Sequence, residues 1–283
     1  MPPDCRTGRG EIKMTVLQIV VLSVIQGFTE FLPVSSSGHL ILLSKLTSFP
    51  DQGLDIDVAV HVGSIAAVMI YFAKDIWAMI CGVLKAHCVP SLQNYGSRLF
   101  WLIVVGTVPA AVAGLALHYY GMEELRSTKI IGWNILLFGI VLWFADKCTL
   151  SVRRIENMDW VDAVAIGLAQ CLALIPGTSR SGITITMSRL LGIERREAAK
   201  FCMLLSIPTI AGAGLLVAYD MFKNGSPDIA FAVQGVGYSF IASLAAIWVM
   251  MNWLKTRTFL PFVIYRIGLG VALLLYSYGY IGQ

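Results

Sequence analysis

Residues 14–46 of this chain read MTVLQIVVLSVIQGFTEFLPVSSSGHLILLSKL. An apolar run reaches Pro33, a turn rich in serine and glycine follows at 34–38, and a second, shorter apolar piece covers 39–46. Proline ends a helix, and glycine permits tight backbone geometry. The stretch therefore predicts a re-entrant hairpin, which enters a membrane and leaves it on the same side. A full span over 14–32 is the competing interpretation.

The same pattern recurs at residues 160–192, which read WVDAVAIGLAQCLALIPGTSRSGITITMSRLLG. Here an apolar run over 160–175 meets Pro176, the turn covers 177–182, and the second piece covers 183–192. Non-helical backbone at membrane depth is tolerated only where it is buried in protein or lines a cavity. We therefore expect both turns to face the inside of the protein.

The composition agrees with a membrane protein. Of the 283 residues, 57% are hydrophobic and only 13% are charged, whereas soluble domains carry roughly 25% charged residues. The net charge of +4 is modest and no basic run occurs, so the sequence gives no reason to expect a nucleic-acid partner. Membrane lipids are the expected surroundings.

Six further stretches have the length and low charge of a transmembrane helix. They cover 57–73, 98–120, 129–146, 200–219, 229–253 and 259–281. The order is a hairpin and three spans, then again a hairpin and three spans. Because three is odd, the second half must be inserted upside down, as in other proteins built from inverted repeats with broken helices.

The predicted fold class is therefore an all-α integral membrane protein with six transmembrane helices and two re-entrant helical hairpins, arranged as an inverted repeat. We expect a disordered tail at 1–13, a first half at 14–147 and a second half at 148–283, which together form one membrane domain. Lysines and arginines are more frequent in the connections around 74–98, 147–154, 189–200 and 255–257. The positive-inside rule makes that side cytoplasmic and puts the first hairpin on the outer side.

The first hairpin carries reactive side chains. Gln26 and Glu30 are four residues apart and share a helix face, and an ionisable residue inside the membrane is a functional hypothesis by default. Ser35, Ser36, Ser37 and His39 follow at once. They would supply a nucleophile, a base and hydrogen-bond donors. The alternative is a polar helix cap, with Glu30 reaching the membrane interface.

The second hairpin contributes Arg180, between Ser179 and Ser181. An arginine at the centre of a membrane costs about 2.5–3.5 kcal/mol even on the lenient insertion scale, so it needs an anionic partner. A guanidinium flanked by hydroxyls suits phosphate oxygens. The weaker alternative is a structural ion pair with Glu30, which could also be the resting state of a phosphate site. Together the two hairpins hold what phosphoryl transfer requires: a nucleophile, an acid or base, and a cation.

The sequence resembles the bacterial undecaprenyl-diphosphate phosphatases, also called bacitracin resistance proteins, from Met14 to the C-terminus. Two motifs carry the resemblance. The family's (E/Q)-x-x-x-E occurs as Gln26 to Glu30, and its P-G-x-S-R-S-x-x-T occurs intact at Pro176, Gly177, Ser179, Arg180, Ser181 and Thr184. One departure is Gln26, which stands where many members have a glutamate.

The resemblance implies removal of the terminal phosphate from a polyprenyl diphosphate lipid, which regenerates the carrier for cell-wall synthesis, at a periplasmic-facing site in the bacterial inner membrane. It implies that Glu30, Ser36, His39 and Arg180 are catalytic, with either Ser36 or His39 as nucleophile. The residues implied to bind the diphosphate are Gln26, Ser35, Ser37, Ser179, Ser181 and Thr184. It also implies a divalent cation, Mg²⁺ or Ca²⁺, held by Glu30. A homodimer is compatible with the sequence.

Three other functions compete with this interpretation. A lipid or ion-coupled transporter or flippase would share the inverted repeat and a polar site at the midplane. A type-2 phosphatidic acid phosphatase would share the Ser37-Gly-His39 sequence, but Thr186 stands where that superfamily needs a histidine. A structural scaffold would leave Glu30 and Arg180 unexplained. Of the remaining polar residues, His61 and Ser64 are weaker candidates for the same cavity, and Arg266 is expected to have a structural partner.

Overall fold

The computed structural model of the chain describes residues 15–46, 53–120, 127–150, 152–224 and 229–280, and the predicted tail at 1–13 lies outside them. The described part is helical, apart from turns and one isolated bridge between Arg153 and Ile193. Its α-helices are α1 (Val16–Phe31), α2 (Ser36–Leu46), α3 (Gly53–Tyr71), α4 (Ala73–Lys85), α5 (Tyr95–Tyr120), α6 (Thr128–Cys148), α7 (Trp160–Cys171), α8 (Arg180–Leu190), α9 (Arg195–Asn224), α10 (Ile229–Trp253) and α11 (Leu260–Ser277).

Five of these helices are long and apolar enough to cross a bilayer: α5, α6, α9, α10 and α11. A sixth span results if α3 and α4 are taken as one, although the chain bends by 76° between them. The prediction of a multi-pass helical membrane protein is therefore confirmed. The span predicted at 57–73 falls on α3, and the bend after Tyr71 prevents a straight continuation into α4.

The two predicted hairpins correspond to pairs of shorter helices. α1 is followed by α2 after a four-residue turn, and α7 runs through a 3₁₀ turn at Leu172–Leu174 before α8. The second arms begin earlier than predicted, at Ser36 rather than residue 39 and at Arg180 rather than residue 183. The reactive residues after Ser35 and Ser179 therefore lie in the first turn of a helix and not in the connection.

Close approach of small residues holds α10 against α1 and α3. A Cβ atom at Gly63 would overlap the carbonyl oxygen of Val236, and one at Gly27 would lie 2.8 Å from the carbonyl oxygen of Ser239. Buried hydroxyls link the same helices, since Ser243 donates to Ser64 at 2.9 Å. Small residues and hydroxyl bonds are the usual means of association in lipid, where apolar burial gives little driving force.

Ionic contacts join the helix ends on the side that the sequence assigns to the cytoplasm. The Asp146 carboxylate, at the end of α6, accepts from Arg189 of α8 at 3.0 Å and from Arg195 of α9 at 2.7 Å. Nearby, Lys200 of α9 lies 3.2 Å from Asp75 of α4. These contacts fix the second hairpin relative to α6 and α9, and so help to position the tip of that hairpin.

The glycine contact between α3 and α10 gives a matched test. Replacing Gly63 with alanine should lower the melting temperature in detergent, because the added methyl meets the backbone of α10 and overpacking costs about 1–3 kcal/mol. A methyl at Gly237 of α10 would have no atom within 4 Å, so Gly237→Ala should not lower it, since alanine favours a helix by about 1 kcal/mol over glycine. Equal melting temperatures for the two variants would contradict the packing described.

Candidate active site

The two hairpin turns have the same local structure. Ser35 and Ser179, the residues before α2 and α8, both have positive φ, at 75° and 72°, a conformation that is uncommon for residues other than glycine. Each hydroxyl accepts a bond from the backbone N–H three residues on, from Gly38 at 3.4 Å and from Gly182 at 3.1 Å. Strained backbone of this kind clusters at functional sites.

The predicted diphosphate-binding serines form two matching pairs. Ser35 lies 3.3 Å from Ser37, and Ser179 lies 3.2 Å from Ser181, in each case between hydroxyl oxygens. The pairs also connect the hairpins, since the Ser181 hydroxyl donates to the carbonyl oxygen of Leu32 at 3.0 Å. The two turns are therefore in direct contact, as the sequence predicted.

Glu30 and Arg180 meet where the turns touch. Arg180 Nη2 lies 3.3 Å from Glu30 Oε1, and the Ser36 hydroxyl donates to Glu30 Oε2 at 3.0 Å. The carboxylate is buried and the arginine side chain is only 12% exposed. Arg180 also donates through Nη1 to the carbonyl oxygen of Cys202 at 3.3 Å, while its Nε is buried without a protein partner. The Nε–H group of Arg180 is thus a donor that a ligand could use.

Gln26 extends this cluster toward α3. Its Nε2 donates to Glu30 Oε2 at 2.9 Å and lies 3.0 Å from His61 Nε2. His61 Nε2 is itself 3.9 Å from Glu30 Oε2. The Gln26 amide oxygen is buried and unpaired within the protein, so it is available to a ligand. His61, a weaker candidate in the sequence, therefore belongs to the surroundings of Glu30.

His39 is near the site but is held differently from the prediction. One ring nitrogen lies 2.7 Å from the carbonyl oxygen of Ser35, and the other lies 2.6 Å from the hydroxyl of Tyr265 on α11. Both nitrogens are thus engaged, and neither bonds to Ser36 or Glu30. This arrangement favours Ser36 over His39 as the residue that faces the carboxylate.

Thr184 does not join the polar cluster at the two turns. Its hydroxyl donates to the carbonyl oxygen of Arg180 at 2.8 Å and lies 2.9 Å from the sulfur of Cys202. The side chain is completely buried. The structure therefore brings nine of the ten predicted site residues to the two turns or beside them, whereas Thr184 supports the helix that presents Arg180.

Arg266 of α11 holds the two turns in place, a role that the sequence did not reveal beyond the expectation of a structural partner. Its side chain is completely buried and donates to main-chain oxygens of both turns, at 3.5 Å to Pro33, 3.3 Å to Gly177 and 2.9 Å to Thr178. It also donates to the carbonyl oxygen of Ile135 in α6 at 3.2 Å. The predicted structural partner is therefore a set of backbone carbonyls, and within the described residues no carboxylate pairs with this arginine.

The carbonyls of the two turns need hydrogen-bond donors, which explains why Arg266 is placed against them. Where the backbone leaves the helix, its carbonyls lose their helical partners, and each unsatisfied polar group in a membrane costs several kcal/mol. A guanidinium carries five donors in a fixed fork and no acceptor. One side chain can therefore satisfy several such carbonyls. Gly182 allows this approach, since a Cβ there would overlap Arg266 Nη1.

Fold and site together define the class of the protein. It is a multi-pass helical membrane protein whose buried carboxylate, hydroxyls and guanidinium meet between two broken helices, a set of groups suited to phosphoryl transfer. The family model for bacitracin resistance protein BacA matches residues 19–272, and the chain belongs to that family. The resemblance noted in the sequence is thereby confirmed.

Curated relatives cover nearly the whole chain. The undecaprenyl-diphosphatase of Roseobacter denitrificans is 46% identical over 269 residues, which span 94% of this chain and 100% of the relative. The undecaprenyl-diphosphatase 1 of Rhodospirillum rubrum is 47% identical over 273 residues, with 94% and 96% covered. That of Alteromonas mediterranea is 44% identical over 263 residues, with 92% and 98% covered.

The role of Arg266 predicts a specific failure. Arg266→Gln should lower both the melting temperature and the turnover number, because the shorter amide cannot reach the carbonyls of both turns, and each buried acceptor left unsatisfied costs about 1–3 kcal/mol. Arg257, which lies over the Trp253 ring and is exposed, is the control for loss of a charge. Arg257→Gln should change neither quantity. Unchanged stability in Arg266→Gln would contradict the assignment.

Proposed function

We propose that this protein is a membrane phosphatase that hydrolyses undecaprenyl diphosphate to undecaprenyl phosphate and inorganic phosphate. The family and the names of its relatives supply the reaction. The observation that ties it to these residues is the contact of Glu30 with both Arg180 and Ser36. The product returns the lipid carrier to peptidoglycan synthesis, and recycling of that carrier underlies bacitracin resistance in the family.

Arg180 binds the diphosphate in this proposal. In the absence of a ligand, Glu30 is its counter-ion at 3.3 Å, which satisfies the requirement that buried charges be paired. The oxygens of a diphosphate accept hydrogen bonds as a carboxylate does, and the diphosphate carries more negative charge. It therefore displaces the Glu30 carboxylate from the guanidinium. Glu30 is then free to act as a base. The ion pair is therefore the resting state of the site, and both interpretations of Arg180 apply.

Ser36 is the nucleophile that the geometry favours. Its hydroxyl already donates to Glu30 Oε2, which is the arrangement of an activated nucleophile and its base. The oxygen attacks the terminal phosphorus while its proton passes to Glu30. The bond from that phosphorus to the bridging oxygen breaks, and undecaprenyl phosphate leaves with the proton from Glu30. Water then attacks the phosphorus of the phosphoserine and gives a proton to Glu30. As the bond from phosphorus to the Ser36 oxygen breaks, Glu30 passes this proton to that oxygen, which regenerates the Ser36 hydroxyl and the Glu30 carboxylate and releases inorganic phosphate.

The starts of α2 and α8 add further donors. Each helix has eleven residues, and the first N–H groups of a helix have no partner within it. Both helix starts lie at the turns that carry Ser36 and Arg180. Aligned N–H groups and the helix dipole favour anions at this position. They would stabilise the negative charge of the phosphoryl group during transfer.

A divalent cation, Mg²⁺ or Ca²⁺, is part of the proposal. The fit rests on the donors present: the Glu30 carboxylate, and the unpaired amide oxygen of Gln26 beside it. In the described part of the chain, no three histidine, cysteine or acidic residues form a cluster suited to a metal. The cation would therefore be held jointly with substrate phosphates, as Mg²⁺ commonly is. When bound, it neutralises phosphate charge.

The detailed topology is also proposed: two re-entrant hairpins and six spans in an inverted repeat, with halves at 14–147 and 148–283. The matching turns before α2 and α8 support it. Helix packing supports it as well, because α1 packs on α10 as α7 packs on α5, and α6 packs on α11. These are the contacts that exchange of the two halves would produce. Homodimer formation stays a prediction.

The proposal also covers the position in the cell, with the site on the periplasmic side of the inner membrane. The cationic ends joined by Asp146 and Asp75 lie together, which supports a cytoplasmic side for those ends. The first hairpin then enters from the periplasmic side of the inner membrane. Its tip, with Glu30 and Ser36, would be reached by a lipid diphosphate from that side.

Removal of either ionic partner tests the proposed function. Arg180→Ala should lower phosphate release from undecaprenyl diphosphate by about 10³-fold or more, since a cation that stabilises the phosphoryl group is worth that much. Glu30→Ala should lower it by about 10²- to 10⁴-fold, which is the usual contribution of a general base. Arg257→Ala is the control, because this exposed residue lies over the Trp253 ring and contacts neither turn. The assay uses purified protein in detergent, and vesicle uptake tests transport in parallel. Turnover retained in both site variants would overturn the proposal.

A second experiment identifies the nucleophile. Quenching the enzyme in neutral SDS, which preserves both phosphoserine and acid-labile phosphohistidine, during turnover of substrate labelled in the terminal phosphate should give labelled protein in the wild type and none in Ser36→Ala. His39→Ala should retain the label on Ser36, because His39 contacts Tyr265 and not Glu30. Label that survives in Ser36→Ala but is lost in His39→Ala would make the histidine the nucleophile.

A further inference from the structure

An apolar groove runs along the outside of α3 and α9. It has a volume of about 450 Å³. Its lining residues come from one face of α3 and one face of α9, and they are Val58, His61, Val62, Ile65, Ala66, Met69, Ile210, Ala211, Gly214 and Leu215. Every one of them except His61 is apolar or glycine. The groove therefore suits a hydrocarbon ligand.

The groove is a trough that follows α3 further than α9, since its lining residues extend from Val58 to Met69 on α3 but only from Ile210 to Leu215 on α9. The lining positions on α3 recur every three or four residues from Val58 to Met69, a distance of about 16 Å along a helix. On the opposite wall, small residues keep the trough open, since no atom lies within 4 Å of a Cβ position at Gly214. A flexible chain fits this space better than a compact ligand.

His61 connects this groove to the candidate active site. It lines the groove, while its Nε2 lies 3.0 Å from Gln26 and 3.9 Å from Glu30. One residue thus borders both the apolar trough and the charged cluster. A molecule that occupies both must have an anionic head and an apolar tail, joined at the level of this histidine.

We propose that the groove binds the polyprenyl chain of the substrate, with the diphosphate at Glu30 and Arg180 and His61 at the junction. This inference rests on the proposed function and adds where the tail lies. The trough of about 16 Å holds only the isoprene units next to the diphosphate. The remainder of the chain extends into the lipid. The enzyme therefore requires a polyprenyl chain, but it contacts only the part of that chain next to the diphosphate.

Blocking the groove should weaken binding of the substrate without changing the rate of the phosphoryl-transfer step. Gly214→Phe fills the trough, so the KM for undecaprenyl diphosphate should rise about tenfold or more, which is the usual effect of lost contacts in a hydrophobic pocket, while kcat is retained. Gly237→Phe is the matched control, because Gly237 is also a helical glycine without neighbours within 4 Å but belongs to α10 and is not one of the residues that line the groove. It should leave KM unchanged.

Photolabelling tests occupancy independently of turnover and of any misfolding of Gly214→Phe. A farnesyl diphosphate analogue with a photoreactive group in its second isoprene unit should label the wild-type peptides that contain 58–69 and 210–215. Undecaprenyl diphosphate should compete for this labelling, whereas phosphatidylglycerol in the same amount should not. Labelling of both peptides with that pattern of competition supports the proposal.

Three results would overturn it: an unchanged KM in well-folded Gly214→Phe, labelling confined to other helices, or equal competition by phosphatidylglycerol, which would make the trough a site for ordinary membrane lipid. The failure of the proposed function looks different. In that case the wild-type protein releases no phosphate from undecaprenyl diphosphate, whatever the labelling shows. Phosphate release without labelling of the groove removes only the present inference.

Discussion

The structure depends on how it satisfies the buried backbone carbonyls at the two turns before α2 and α8. In the core of a bilayer, no water is present to donate hydrogen bonds to free carbonyl oxygens. An irregular turn there requires donors from the protein itself. Arg266 supplies them from α11, with bonds to Pro33 in the first turn and to Gly177 and Thr178 in the second. Because one guanidinium serves both turns, it also sets the distance between them. Together with the Ser181 bond to Leu32 and the ion pair of Glu30 with Arg180, this buried cation holds the two turns against each other.

The resting ion pair has a related consequence. Glu30 and Arg180 come from opposite halves of the chain, 150 residues apart in sequence, and each would be costly to bury without the other. Their contact therefore favours the assembled arrangement of the hairpins. The same carboxylate also accepts a hydrogen bond from Ser36. In the mechanism proposed above, this one ion pair therefore serves assembly before the substrate binds, and Glu30 serves as the base afterwards.

Much of the fold and of the site could be predicted, because the membrane restricts the possibilities. Long apolar runs indicated the spans, and Pro33 and Pro176 marked the two breaks. Glu30 and Arg180 could be identified as candidate site residues because they are charged residues in apolar segments. The helix starts at Ser36 and Arg180 were placed three residues too late, because the capping by Ser35 and Ser179 requires positive φ values that serine seldom adopts. The bend after Tyr71 was missed as well, since the direction of α4 depends on its packing against α5.

The sequence by itself determined which groups must find partners: a carboxylate, a guanidinium and a row of hydroxyls in segments too apolar for water. The physical reason is the cost of burying charge, which is a property of the residue type and needs no coordinates. Only the tertiary structure decided which partner each group has. It turned His39 toward Tyr265, Thr184 toward Cys202 and Arg266 toward main-chain oxygens. Those choices depend on distances between helices that are remote in sequence, and residue order alone does not contain them.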